Sequence, residues 1–137
     1  KPRNSGINNW EVTKKVVDGN KTVIRHLKSI RDCAVEMERA LSRGHLKSLA
    51  PIFAREWKAR KQLAPNISTP QMDRLMRAAQ KKGALAGKVC GAGGGGCVAF
   101  IVPPAKKQSV MEELTSKGGK VLPFRFVSRG LRCQAPA

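Results

Sequence analysis

Tyrosine is missing from this 137-residue chain, and four Phe with two Trp make up its whole aromatic inventory. Single-strand nucleic-acid binders interleave stacking rings with their basic residues, so this scarcity weighs against that class. Acidic residues are also few: nine Asp plus Glu stand against 27 Lys plus Arg, a formal charge of +18. Such an excess attracts polyanions at low salt. A basic nucleic-acid-binding module therefore stays open as the rival reading, because charge by itself does not decide. No apolar run approaches the roughly 20 residues that span a bilayer, and no apolar signal segment opens the chain; no membrane contact and a cytoplasmic setting are expected. An initiating methionine is lacking before Lys1-Pro2-Arg3, which predicts a chain that begins inside a longer protein. The cysteines, Cys33, Cys90, Cys97 and Cys133, include no Cys-x-x-Cys pair and have no histidine nearby. Metal-ligand spacing is thus absent, and the thiols are expected to be reduced and partly buried.

What is present suits one globular domain over residues 1–137, with 41% hydrophobic and 26% charged residues. Residues 1–19 read as an opening loop segment and 134–137 as a flexible tail. Over residues 20–43, Val23, Ile24, Leu27, Ile30, Ala34, Met37 and Leu41 recur at threes and fours, which predicts a long helix ended by Gly44. Glu36 and Arg39 are spaced for a weak surface pair on its other face. A second helix is expected over 45–63, where Leu46, Leu49, Ile52, Phe53 and Trp57 share a face and Pro65 follows as a stop. Arg55, Lys58, Arg60 and Lys61 then form a basic face, which reads as a wet helix surface, with a phosphate-seeking patch as the alternative. Ser68-Thr69-Pro70 is a helix-start signal. It predicts a third helix over 70–82 with Met72, Leu75, Met76 and Ala79 inward and Asp73 paired to Arg77 outside.

After Gly83 the pattern changes to strand, glycine loop and strand. Pro103-Pro104 then primes a fourth helix with Val110, Met111 and Leu114 inward, stopped by Gly118-Gly119. A last strand is expected over 120–128. The fold class is α+β, helices packed on one face of a small, mainly antiparallel sheet. Three strands are few for so long a helical layer, so a first strand is expected to precede Lys1. Its absence would leave an exposed sheet edge through which another chain could associate.

Gly91-Ala92-Gly93-Gly94-Gly95-Gly96 is the segment whose composition demands an explanation. Residues with so little side chain lose much conformational entropy on ordering. Successive N–H groups in such a loop can line a concavity for phosphate oxygens; the bland alternative is a tight or bulged hairpin. The Walker pattern fails, because Cys97 stands where lysine is required. Gly91-x-Gly93-x-x-Gly96 matches the dinucleotide fingerprint in letters, but that motif opens a helix and here a strand follows. The protein-kinase loop also matches in letters, yet none of its partner motifs follows.

Lys88-Val89-Cys90-Gly91-Ala92-Gly93-Gly94-Gly95-Gly96-Cys97 resembles the third conserved motif of the galactokinase, homoserine kinase, mevalonate kinase and phosphomevalonate kinase (GHMP) superfamily. There a Lys-x-Ser/Thr/Cys-Gly-Ala-Gly-Gly-Gly-Gly segment joins two strands of the C-terminal, ferredoxin-like domain. The order of helices and strands on either side is similar over nearly the whole chain. Arg3-Asn4-Ser5-Gly6-Ile7-Asn8-Asn9-Trp10-Glu11, with Glu56-Trp57-Lys58 and Leu63-Ala64-Pro65, looks most like the bacterial sugar and heptose-phosphate kinase branch. As an ordinary capping loop and a core or interface ring, Trp10 and Trp57 among them, these residues would need no such role.

The resemblance implies a domain of an ATP- and Mg2+-dependent small-molecule kinase, working at a cleft shared with an N-terminal kinase domain of the same protein. Nothing in this chain matches that family's principal phosphate loop. The carboxylates Asp32, Glu36, Glu38, Glu56, Asp73, Glu112 and Glu113 fall on predicted helices among basic residues, where solvated surface acids belong. No catalytic residue and no metal ligand is therefore assigned here, and the isolated chain is expected to be inactive. The implied roles are a phosphate and active-site loop at Gly91, Ala92, Gly93, Gly94, Gly95 and Gly96, with acceptor-side contacts at Arg3, Ser5, Asn8, Asn9 and Lys88. As a strand residue, Lys88 could equally be a sheet-surface lysine. Nucleic acid is expected to bind only nonspecifically, and the excess charge could instead complement an acidic N-terminal domain.

Overall fold

The computed structural model describes residues 5–131 and residue 133. Five helices, α1 (Ser5–Val17), α2 (Lys21–Ser42), α3 (Leu49–Lys61), α4 (Pro70–Lys81) and α5 (Lys107–Ser116), accompany two strands, β1 (Ala86–Val89) and β2 (Val98–Ile101). The strands pair antiparallel in the register Ala86↔Ile101, Gly87↔Phe100, Lys88↔Ala99 and Val89↔Val98. The result is a mostly helical α+β domain.

Where it is described, the opening segment is a helix over Ser5–Val17 rather than a loop. Lys14 and Asp18 pair across its last turn at 2.6 Å. Gly19 then ends it at φ +73°, where its own N–H reaches Val16 O and that of Asn20 reaches Lys15 O. Val12 packs on the main core, and Lys15 Nζ donates to Leu63 O at 3.3 Å, tying α1 to the chain beyond α3. The tail over 134–137 lies outside the described residues.

Asn20 caps α2 by accepting from the Val23 amide at 3.0 Å, and Thr69 caps α4 by accepting from the Met72 amide at 3.2 Å. Gly44, at φ +68°, closes α2 as expected, with His45 N–H on Ala40 O. The inward stripe of α2 is displaced in its second half. Cys33 and Ala40 are buried where Ala34 and Leu41 were expected, because α3 docks there through Ile52 and Leu49. Glu36 accordingly reaches across to Arg55 rather than along its own helix to Arg39. Hydrogen bonds to the Cys33 thiol (Nε to Sγ, 3.3 Å) and then to Glu36 raise the Arg55 guanidinium further above its ordinary range. In α4, Met72, Met76 and Ala79 are buried as their spacing predicts. Asp73 accepts from Ser68 Oγ at 2.8 Å instead of pairing with Arg77.

The main core joins Val23, Trp57, Leu63, Ala64, Ile67, Met72, Met76 and Val89, with Val98 and Phe100 packed on it. Phe100 also touches a second cluster, Ala79, Ala84 and Val110, that seats α5. Trp57 is thus a core ring, whereas Trp10 is exposed. The predicted third strand over 120–128 does not form: among the described residues only β1 and β2 make a sheet. Phe124 and Phe126 stack edge to face at 5.7 Å but stay exposed. A strand exists only when another strand accepts its backbone hydrogen bonds, and alternation in the sequence cannot supply that partner.

Candidate functional site

The glycine loop leaves β1 and returns as β2. Its neck continues the ladder by one step, with Cys90 N–H donating to Cys97 O at 2.9 Å. Inside the neck, Gly91, Gly93, Gly94, Gly95 and Gly96 all hold positive φ, between 72° and 147°. Side chains at such angles cost roughly 1–2 kcal/mol each, so the composition of residues 91–96 follows from the path of the backbone.

The loop is seated on its neighbours. A 3-10 turn, Pro65–Ile67, runs between α3 and α4, and Gly94 N–H donates to Ile67 O at 2.9 Å. A Cβ built on Gly93 would lie 2.5 Å from that same carbonyl oxygen. Gly93 therefore has to be glycine for closeness as well as for φ. One on Gly94 would meet Asn66 O and Asn8 Nδ2, each at 3.2 Å.

Asn8 of α1 is buried and donates from Nδ2 to Ala92 O at 3.3 Å. It braces the loop from behind, a role its place in a polar opening segment did not announce. Asn9 is exposed on the same helix, Ser5 begins that helix, and Arg3 lies outside the described residues. Of the acceptor-side candidates, then, Asn8 makes a hydrogen bond to the loop.

Lys88 is neither free nor on an open sheet surface. Its Nζ lies 2.9 Å from Glu56 Oε1 and 5.5 Å from the centre of the Phe53 ring. Glu56 was expected among solvated carboxylates, but it is 6% exposed and takes Arg60 Nε on the same oxygen at 2.7 Å. Its Oε2 is buried with no hydrogen-bond partner among the described residues. The signal was in the spacing: Glu56 follows Ile52 by four and Phe53 by three, which puts it on the apolar stripe of α3. An acid on such a stripe needs a cation, and β1 brings Lys88 to it.

Among the described residues, no group of three or more His, Cys, Asp or Glu could hold a metal ion, and no helix is long and apolar enough to cross a membrane. Cys33 is buried, while Cys90, Cys97 and Cys133 are exposed, contrary to the expectation of partly buried thiols.

Residues 37–120 match the family described as GHMP kinases C terminal. The chain is 31% identical to a D-glycero-alpha-D-manno-heptose 7-phosphate kinase from Campylobacter jejuni over 122 residues, 89% of this chain and 36% of that one. A mevalonate kinase from Thermococcus onnurineus is 37% identical over 71 residues, 52% of this chain and 21% of that one. In fold, the domain is similar to a Lin0012 protein from Listeria innocua, with a TM-score of 0.81 at 22% identity over 91% of this chain and 36% of that one. It is also similar to L. major mevalonate kinase in complex with R-mevalonate, with a TM-score of 0.74 at 19% identity over 85% and 36%.

Proposed function

Since the chain belongs to the GHMP kinase family as a C-terminal domain, we propose that it works as one part of an ATP-dependent kinase for a sugar or sugar phosphate. The match to the heptose-phosphate kinase covers 89% of the chain, against 52% for the mevalonate kinase, and this greater reach supports the acceptor class. The chain spans about a third of that relative, 36% of its length. The remainder of the kinase is therefore assigned the nucleotide's main phosphate loop, the base and the Mg2+ ligands. Mg2+ has no ligand set among the described residues.

The observation that carries the reading is a loop of five positive-φ glycines, held at a fixed place by Ile67 and Asn8. Phosphoryl transfer is catalysed mostly by positioning and charge stabilisation. A loop without side chains brings peptide N–H groups close to phosphate oxygens. The Gly94 amide is already used on Ile67, so Gly94 serves as the anchor, and the exposed Gly91 and Gly96 form the part that faces the phosphates. Asn8 positions the loop by holding Ala92. Lys88 acts through Glu56 on the strand that enters the loop.

Gly94→Val in the intact kinase tests this. Valine at φ +72°, against Asn66 O and Asn8, should lift the loop from its seat. Turnover should then fall on the order of a hundredfold, as a displacement of about 1 Å at a reacting centre does, with the far-UV circular dichroism unchanged. An unaltered rate would remove the loop from the active site. The isolated chain should show no turnover of ATP with any sugar phosphate, and measurable turnover would place the catalytic groups here instead.

A further inference from the structure

Two of the four thiols stand at the neck of the glycine loop, facing one another. The register Ala86↔Ile101 to Val89↔Val98 extends by one step to Cys90 opposite Cys97, and the bond from Cys90 N–H to Cys97 O at 2.9 Å fixes that step. Directly opposed residues of an antiparallel pair project to the same face, because alternation is set by the pleat. Val89 is buried in the main core and Val98 packs on it, so Cys90 and Cys97 project to the other side, and both are exposed. A hydrogen-bonded antiparallel pair holds its Cα atoms about 5.5 Å apart, inside the roughly 4.4–6.8 Å that a disulfide spans.

From this we infer that Cys90 and Cys97 form a dithiol modification site, closed to a disulfide by a hydroperoxide. One thiolate takes an oxygen from the peroxide, leaving a sulfenic acid and an alcohol or water. The second thiolate attacks that sulfur, the S–S bond forms, and hydroxide leaves to be protonated to water. Two thiols are oxidised by two electrons, and one peroxide bond is reduced. The partner thiol is already opposite, so the second step does not wait on a chain movement. Cys33 does not compete, being buried against Arg55, and exposed Cys133 lies outside the ladder. The staple encloses residues 91–96 and restrains the loop by its two ends. The site stands on strand register and exposure alone; its effect on turnover rests on the phosphate-loop reading.

The experiment treats the full-length kinase with a stoichiometric amount of hydrogen peroxide, then digests it without reduction for mass spectrometry. The tryptic peptide over residues 89–106 carries both cysteines with no cleavage site between them, so the link should appear within it as a loss of about 2 Da that dithiothreitol reverses. Cys90→Ser and Cys97→Ser should each abolish the link. Sulfenic or sulfinic acid without a link, or a link from either residue to Cys133, overturns the proposal. Turnover is read on the same samples, each relative to its own untreated rate. The wild type should lose at least tenfold and recover with dithiothreitol, and the serine variants should lose less than twofold. A formed link with an unchanged rate leaves the dithiol site standing and counts against the loop's part in phosphate transfer.

Discussion

Lys88 on β1 and Glu56 on α3 meet at 2.9 Å, with side-chain exposures of 22% and 8%. This ion pair connects α3 to the strand that feeds the glycine loop. Glu56 Oε1 also takes Arg60, so one carboxylate is shared between two cations.

Removing the carboxylate should cost far more than removing a surface charge. Glu56→Ala leaves Lys88 uncompensated and part-buried, and breaking a buried pair from one side costs roughly 3–5 kcal/mol. The partial exposure of Lys88 favours the lower end, about 3 kcal/mol. The double variant Glu56→Leu with Lys88→Met should recover most of that loss. Urea unfolding of the wild type and both variants is the measurement, and a single variant within about 0.5 kcal/mol of wild type would refute a structural pair.

Glycine is required at Gly93 for two reasons and at Gly19 for one. A Cβ at Gly19 meets nothing within 4 Å, so alanine there pays only for φ +73°, about 1 kcal/mol. At Gly93 the same change also pushes a Cβ to within 2.5 Å of Ile67 O and 2.8 Å of Ile67 Cα, and such overpacking adds roughly 1–3 kcal/mol. Parallel thermal unfolding should rank Gly93→Ala well below Gly19→Ala, and equal melting temperatures would mean that the loop does not rest on the Pro65–Ile67 turn.

Asn8 separates bracing from binding. Asn8→Ala removes the donor to Ala92 O and should cost about 1 kcal/mol of stability. Asn8→Asp sets an acceptor against an acceptor and should cost more. In the intact kinase both should lower kcat with little change in KM for the acceptor, since Asn8 holds the loop and not the ligand. A rise in KM alone would instead make Asn8 an acceptor contact.

The +18 charge gives the nucleic-acid reading a measurable form. Retention of duplex DNA should be weak and insensitive to sequence. Its log affinity should fall by roughly 0.9 per neutralised phosphate per decade of salt, and it should vanish near physiological ionic strength. Sequence-dependent binding that persists there, seen by fluorescence anisotropy, would restore the rival function.

Much of the chain is decided by short-range chemistry and is therefore legible in the letters. Gly44 and Gly118 end helices because they alone reach positive φ cheaply, Asn20 and Thr69 start them because their side chains accept free amides, and residues 91–96 read as a close-approach loop because nothing else needs so much glycine. The resemblance to the GHMP kinases rested on that loop, and the family match agrees with it. What the letters could not settle was which distant surface each local element meets. The buried line of α2 moved to Cys33 and Ala40 once α3 docked, and the alternating run over 120–128 had no strand beside it to bond with. Glu56 gained Lys88 beside Arg60 of its own helix only because β1 delivered it, and two ordinary thiols became opposed partners only through the register of a hairpin. Periodicity and capping depend on neighbours within about one helical turn. Pairing, docking and the burial of charge depend on residues brought together from far along the chain, and the tertiary structure alone sets those.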